Sequence, residues 1–242
     1  MEYDIAIIYF GLTRSTKKVY KSHIDNISNQ LRVNNLTYKT FIHTWKTKGN
    51  IQRVWEKTIT QPIDYNEYKL LNPDFYKIDN QEDYMRTVDF SKYFYKEIWN
   101  TKGHNEDGEW LPGLIENHLC ALESQKRGLE MVEDFVSVGN KFKYVMFLRP
   151  DVLITNKLPL REIFSRPCEI SIPNNNHNEG YNDRFAIINY EKATIYGKRI
   201  YEIDKFRKTN GRIVSEKYLK FIITKYNLKL NLINFTFDIV RP

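Results

Sequence analysis

Cysteine is nearly absent from this 242-residue chain: Cys120 and Cys168 are the only two. Two thiols cannot build a disulfide framework, and their spacing matches no metal-binding pattern. Long apolar runs are missing as well. No stretch of 18 or more uncharged apolar residues occurs, which excludes a membrane-spanning helix. The start, Met1-Glu2-Tyr3-Asp4, has neither the basic head nor the apolar centre of a signal peptide. A cytoplasmic protein is therefore expected (host cytoplasm if the source is viral), and the glycosylation-type triplets at Asn26, Asn35 and Asn234 carry no meaning there. No Pro-, Gly- or Ser-rich linker divides the chain, and no internal repeat is visible. What is present suffices for a core: 41% hydrophobic and 14% aromatic residues, the content of one generous α/β domain.

The formal charge is +7, which favours acidic partners such as nucleotides, phosphosugars or nucleic acid. A nucleic-acid binder concentrates its charge in a stripe or arm. Here Lys and Arg are interspersed with Asp and Glu along the chain, and nucleic acid is not expected as a partner.

The stretch that organises the rest is Lys143 to Ile154. An apolar run, Tyr144-Val145-Met146-Phe147-Leu148, reads as a buried strand. It meets Arg149-Pro150-Asp151, where proline stops the ladder, and the apolar pattern then resumes. Ligands of open α/β sheets bind outside the carboxyl ends of the strands. A charged pair at such an end is either a solvated ion pair or part of a site.

Upstream, Asp4 to Phe10 reads as a strand stopped by Gly11, and a helix is expected from about Lys17 to Asn34 with Val19, His23, Ile24, Ile27 and Leu31 on one face. Strand, glycine turn and helix open a mononucleotide-binding unit. Tyr38 to Trp45 reads as a second strand, with His43 and Trp45 on one face and Thr44 on the other. Residues 63 to 110 are hard to read. Leu70-Leu71 suggests a short strand, and a helix begins near Gln81, capped by Asp79 or Asn80. The aromatics Phe90, Tyr93, Phe94, Tyr95, Trp99 and Trp110 fit a packed helix. Gly103 to Gly108 reads as a solvated loop, although it holds His104, Glu106 and Asp107.

Leu114 to Val136 is the strongest helical pattern, and Gly128 within it implies close packing, since glycine there costs about 1 kcal/mol against alanine. Past Asp151, Glu169 to Pro173 reads as a strand and Asn174 to Gly180 as a loop. A second charged site follows, Asn182-Asp183-Arg184, entering an apolar strand from Phe185 to Ile188. Helices are expected at Tyr190 to Tyr201 and at Ser215 to Tyr226, the latter capped by Ser215. Leu228 to Val240 reads as a terminal strand or hairpin.

Phe41-Ile42-His43-Thr44-Trp45, Arg149-Pro150-Asp151 and Asn182-Asp183-Arg184-Phe185, in that order, resemble the GT-A nucleotide-sugar glycosyltransferases. The likeness is to small bacterial and large-DNA-virus enzymes carrying Arg-x-Asp in place of Asp-x-Asp, and it spans most of residues 5 to 200. It implies a GT-A-like (Rossmann-like) α/β fold, a mostly parallel sheet flanked by helices. A nucleotide-binding half would cover about 1–150 and an acceptor half about 151–242. It implies a hexosyl- or pentosyltransferase moving sugar from a nucleotide-diphosphate donor to a glycan or other hydroxyl acceptor.

By the same resemblance, Gly11, Arg14, His43, Arg149, Asp151 and Asn182 would bind the donor, and Asp151 would hold a divalent cation, Mn²⁺ or Mg²⁺. Arg149 would add charge compensation, and Asp183 would be the general base or a sugar-hydroxyl acceptor. Family members carry a late His or Asp for the metal; only Asp238 is available here. Two other classes stay open: a non-catalytic nucleotide- or nucleic-acid-binding protein, and a scaffold that has lost activity, for which Arg149 is the hint. The abrupt Arg241-Pro242 also leaves room for a longer natural chain.

Overall fold

The computed structural model describes residues 1–47, 64–93 and 112–240. The segment through Trp55 to Pro62, the aromatics Phe94, Tyr95, Trp99 and Trp110, and the His104–Asp107 loop all lie outside the described residues. In chain order the strands are β1 (Glu2–Phe10), β2 (Tyr38–Lys46), β3 (Phe75–Asn80), β4 (Lys141–Leu148), β5 (Val152–Ile154), β6 (Ile170–Pro173), β7 (Phe185–Asn189), β8 (Leu230–Ile233) and β9 (Phe237–Ile239). The helices are α1 (Thr16–His23), α2 (Asn29–Val33), α3 (Gln81–Arg86), α4 (Pro112–Ser137), α5 (Leu160–Phe164), α6 (Ala193–Gly197), α7 (Ile203–Asn210) and α8 (Ser215–Lys225). No helix among them is long and apolar enough to cross a membrane.

Seven strands form one sheet in the order β3-β2-β1-β4-β7-β6-β8. Every strand runs in one direction except β7, which is antiparallel to both β4 and β6. The mostly parallel, helix-flanked α/β sheet expected from the sequence is therefore present. Alternation along the strands sends side chains to two faces. Ile5, Ile7, Tyr9, Met146 and Leu148 share a core with Ile27 and Leu31 of the first helical segment. Ala6, Ile8, Phe10, Val145 and Phe147 share another with Leu129 and Val132 of α4. Val145 to Leu148 are wholly buried, each such side chain contributing about 1.5–3 kcal/mol by leaving water. That is why the chain's most apolar run lies at the sheet centre. A third core, away from the sheet, joins Leu119 and Leu122 of α4 to Phe206 of α7, Tyr218 of α8 and Ile213 between them.

Chain order turns around at β1. The crossover to β2 lies on one side and β4 docks on the other, so the C-terminal ends of β1 and β4 flank the switch point where open α/β sheets hold ligands. Gly128 does pack closely: a Cβ there would run into the Ile8 side chain.

Several local readings need correction. Glu67–Leu71 is a turn of 3-10 helix, not a strand; it ends at left-handed Asn72, and the strand comes after it as β3. The pattern was hidden because β3 is an edge strand whose residues are mostly exposed. The first long helix contains a π-helical segment, Ile24–Ser28, which shifts its phase and leaves Ile24 half-buried while Ile27 and Leu31 stay inside. The helix expected from Tyr190 to Tyr201 is broken into two 3-10 turns around α6. Gly197 closes α6 packed against Leu129 and Phe147, with no room for a side chain. Ser215 does not cap α8, since Val214 occupies that position and the Ser215 hydroxyl donates to Glu216. The C-terminal strands are no hairpin: β8 joins β6 in the large sheet, while β9 pairs with β5 in a separate two-stranded ribbon.

Candidate active site at the sheet switch point

Asp151 stands where the chain breaks between β4 and β5, and it is 1% exposed. Burying a carboxylate is costly unless it is paired. Arg149 meets it with two parallel hydrogen bonds, Nε to Oδ1 at 2.8 Å and Nη2 to Oδ2 at 2.6 Å. Arg14, from the loop after β1, donates to the same Oδ2 at 3.2 Å. Burial pushes the Asp151 carboxyl upward, but the two guanidiniums outweigh it and leave its pKa at about 2. Two cations thus share one anion, and Asp151 is the buried base on which they are oriented. The side chains of Arg149 and Arg14 retain 29% and 17% exposure.

Arg149 also reaches the second charged segment. Its amide donates to the Arg184 carbonyl at 3.2 Å. Burial disfavours its charge, and the Asp151 and Asp183 carboxylates more than offset this, raising its pKa. Asp183, 32 residues beyond Asp151, thus lies just ahead of the start of β7, which pairs with the end of β4, within electrostatic reach of Arg149. Asp183 is half-buried, and its backbone carbonyl accepts from the Tyr196 hydroxyl at 3.4 Å.

Residues 174–184 form the loop that carries Asp183. Asn182 is fully buried within it: Nδ2 donates to the Asn175 carbonyl at 3.1 Å, and Oδ1 accepts from the Arg184 amide at 3.0 Å. Its amide side chain holds loop to loop instead of facing solvent. The same loop is clamped onto α8. Tyr181 donates its amide to the Glu216 carbonyl at 3.0 Å, and the Glu216 carboxylate accepts from Asn178 at 2.9 Å and Arg184 at 3.4 Å. Gly180 permits the approach, because a Cβ there would coincide with the backbone of Glu216. A backbone obstacle cannot rotate away. Gly180→Ala is expected to cost about 1–3 kcal/mol in thermal unfolding, the usual price of overpacking, and unchanged unfolding would deny the clamp.

Gly11 turns the chain out of β1 at φ 94°, a conformation that disfavours side chains. Its amide donates to the Ser124 hydroxyl at 2.8 Å, and that hydroxyl donates to the His43 carbonyl at 3.0 Å. His43 is 0% exposed, with Nδ1 2.7 Å from the same hydroxyl and Nε2 3.1 Å from Asp79. Burial lowers its pKa, with Asp79 opposing. Asp79 is ion-paired to Arg127, which also bonds Glu123 at 2.8 Å. His43 thus ties β2, β3 and α4 together beneath the Gly11 turn and supports the loop without reaching the crevice. Trp45 lies on the same face of β2 as His43, donates to the Cys120 carbonyl at 3.1 Å, and stacks on Tyr84 at 5.3 Å. It is core packing.

The donor set at Asp151 does not fit a divalent cation. Both carboxylate oxygens accept from guanidinium groups, so an ion there would have to displace Arg149 and Arg14. No cluster of three or more His, Cys, Asp or Glu side chains able to hold a metal is found among the described residues. Asp238 is exposed on β9, opposite Leu153 of β5.

Two features escaped the sequence reading. His118 of α4 stands near Asp183 and Arg199 with its ring edge-on to Tyr218, and burial lowers its pKa to about 4. A lone histidine in an amphipathic helix gives no sequence signal. The second is a basic cleft between α7 and α8, and here a signal did exist: residues 205–225 hold seven Lys or Arg against the single acid Glu216.

No family model matches the chain, and no curated protein sequence matches it. Among solved structures, a glycosyltransferase involved in glycosylation of the major capsid of PBCV-1 aligns over 96% of this chain and 81% of its own, at 8% identity and a TM-score of 0.42. Mouse xyloside xylosyltransferase 1 aligns over 96% and 85%, at 8% identity and a TM-score of 0.40. A candidate glucose-1-phosphate thymidylyltransferase from Bacillus anthracis aligns over 99% and 89%, at 11% identity and a TM-score of 0.41. At these values each is a protein this chain is similar to in its course.

Proposed function

We propose that the chain is a glycosyltransferase that takes a nucleotide-diphosphate sugar in the crevice between the ends of β1 and β4. The observation that carries this is the Arg14–Asp151–Arg149 cluster at the switch point, with Asp183 on the same rim. Two guanidiniums gather on one carboxylate at the edge of the crevice, and guanidinium forks suit phosphate oxygens.

In the proposed reaction the bond from the anomeric carbon to the diphosphate breaks, and a bond from that carbon to the acceptor oxygen forms. The electron pair leaves with the diphosphate, whose growing negative charge faces Arg149 and Arg14. Asp183 accepts the hydroxyl proton of the acceptor, or failing that a hydrogen bond from a sugar hydroxyl. Asp151 positions both arginines; it touches neither substrate. His43, Gly11 and Asn182 act one layer back, fixing the loops that present these groups. Residues 1–150 supply most of the donor side and 151–242 the acceptor side.

Thermal unfolding against a panel of nucleotide-sugars, with Mn²⁺ or with EDTA and beside a short oligonucleotide, tests this. At a hundredfold excess over Kd a ligand stabilises by about 2.7 kcal/mol. The expected result is stabilisation by at least one nucleotide-sugar, with affinity in EDTA within about twofold of that in Mn²⁺. Stabilisation by the oligonucleotide alone would sink the donor reading, and binding that vanishes in EDTA would return the charge compensation to a metal.

A further inference from the structure

We infer that the cleft between α7 and α8 binds an anionic saccharide, one bearing carboxylate or phosphate groups, and so selects a charged acceptor; this rests on the glycosyl-transfer reading and extends it. The cleft has a volume of about 1120 Å³. Small-molecule sites span about 300–1,000 Å³, so it has room for several sugar rings. Six cationic side chains line it, Lys205, Arg207, Arg212, Lys217, Lys220 and Lys225, against the single carboxylate of Glu179. Glu179 is itself ion-paired with Lys217, and Lys225 is ion-paired with Glu202 at the cleft's edge. Like charges gathered around one concavity repel one another, and an anionic occupant relieves that repulsion while being drawn in by the summed field.

The apolar part of the lining decides between kinds of anion. Phe221 lies half-buried in the cleft, backed by the buried Phe206 at a ring-centroid distance of 5.2 Å. An aromatic face receives the C–H face of a sugar ring, leaving ring substituents to the lysines at the sides. A nucleic-acid duplex instead needs a basic stripe running along a surface, and these cations converge on one pocket.

Position links the cleft to the chemistry. Its wall includes Glu179, four residues before Asp183 in the loop clamped to α8 through Tyr181, Asn178 and Arg184. The loop that bears the proposed base is thus also a side of the cleft. A sugar chain held between α7 and α8 lies against the segment that must receive its hydroxyl.

The test uses Lys205 and Lys220, both exposed and neither a member of the Arg14–Asp151–Arg149 cluster. Calorimetry would compare the whole protein with its Lys205→Gln/Lys220→Gln variant. The probes are a hyaluronan tetrasaccharide (carboxylate), mannose 6-phosphate (phosphate), neutral chitotetraose, and an eight-residue oligothymidylate. The expected result is binding of at least one of the two anionic sugars, at least tenfold tighter than chitotetraose, falling about tenfold in the variant. The two anionic arms distinguish carboxylate from phosphate recognition.

Equal binding of chitotetraose, no binding of either anionic sugar, or an unchanged affinity in the variant overturns the inference. Preference for the oligothymidylate over both anionic sugars overturns it too, in favour of nucleic acid. Nucleotide-sugar binding, measured on the same samples, should be unchanged in the variant. If donor binding is absent altogether while the anionic sugar binds, the glycosyl-transfer reading fails and the cleft stands as a saccharide site alone.

Discussion

Asp151→Asn is expected to lower stability by about 3–5 kcal/mol, the cost of removing one partner from a buried ion pair. For a domain of this size that corresponds to a fall in Tm of roughly 6–20 °C. The reason is geometric. Asparagine keeps the shape but presents one oxygen, where the carboxylate accepts from Arg149 twice and from Arg14 once. The two guanidiniums then lose the counter-charge they share. Removing Arg14 as well should relieve part of that repulsion, so Arg14→Gln/Asp151→Asn should lose less than the sum of the single variants.

The pH dependence follows from the same cluster. The folded pKa of about 2 lies below the unfolded value near 3.8. A depressed carboxyl stabilises the fold above its unfolded pKa, and that contribution, about 2 kcal/mol, is lost as pH falls from about 4 to 2. The variant should lack this acid-labile part. A Tm within 1 °C of the parent, or an identical acid limb, would show that the pair is not what holds the β4–β5 break. Nucleotide-sugar affinity should fall alongside stability, because the arginines lose the anchor that aims them.

The sequence revealed these elements unevenly, and for physical reasons. β1, β2, β4 and β7 were legible because they are central strands, buried on both faces, so their apolar runs are continuous. Edge strand β3 carries no such run, and it was missed. The periodicity from Tyr190 to Tyr201 looked intact, and the close fit of Gly197 against Leu129 and Phe147, far away in sequence, left no mark in it. Charge was harder still. The Arg-x-Asp segment showed that a carboxylate and a cation stood together. That Arg14, 137 residues upstream of Asp151, would take the remaining hydrogen bond was not readable without the sheet order. His43 and Asn182 were expected from the resemblance to bind the donor, and both are fully buried. Their burial makes them supports of the loops, a distinction that residue type alone does not make.

Asp183→Ala is expected to reduce turnover about 10²–10⁴-fold, the usual contribution of a positioned acid–base group. The measurement is release of nucleoside diphosphate from whichever donor stabilises the fold, in the presence of acceptor. Donor affinity supplies the second reading, and its sign is informative. Asp183 lies within electrostatic reach of Arg149, so deleting it removes a negative charge from beside the site proposed for the diphosphate. The donor KM should therefore stay level or drop while kcat collapses. A residue that merely held the loop would act otherwise: its loss would loosen residues 174–184 from α8, lower Tm, and weaken acceptor and donor together. Asp183→Asn sharpens the choice, because the amide preserves hydrogen bonding but cannot take a proton at neutral pH. If Asp183→Asn turns over like the parent, proton transfer is not its task and hydrogen bonding to a sugar hydroxyl is. If both variants keep full turnover, the second charged segment plays no part in the chemistry.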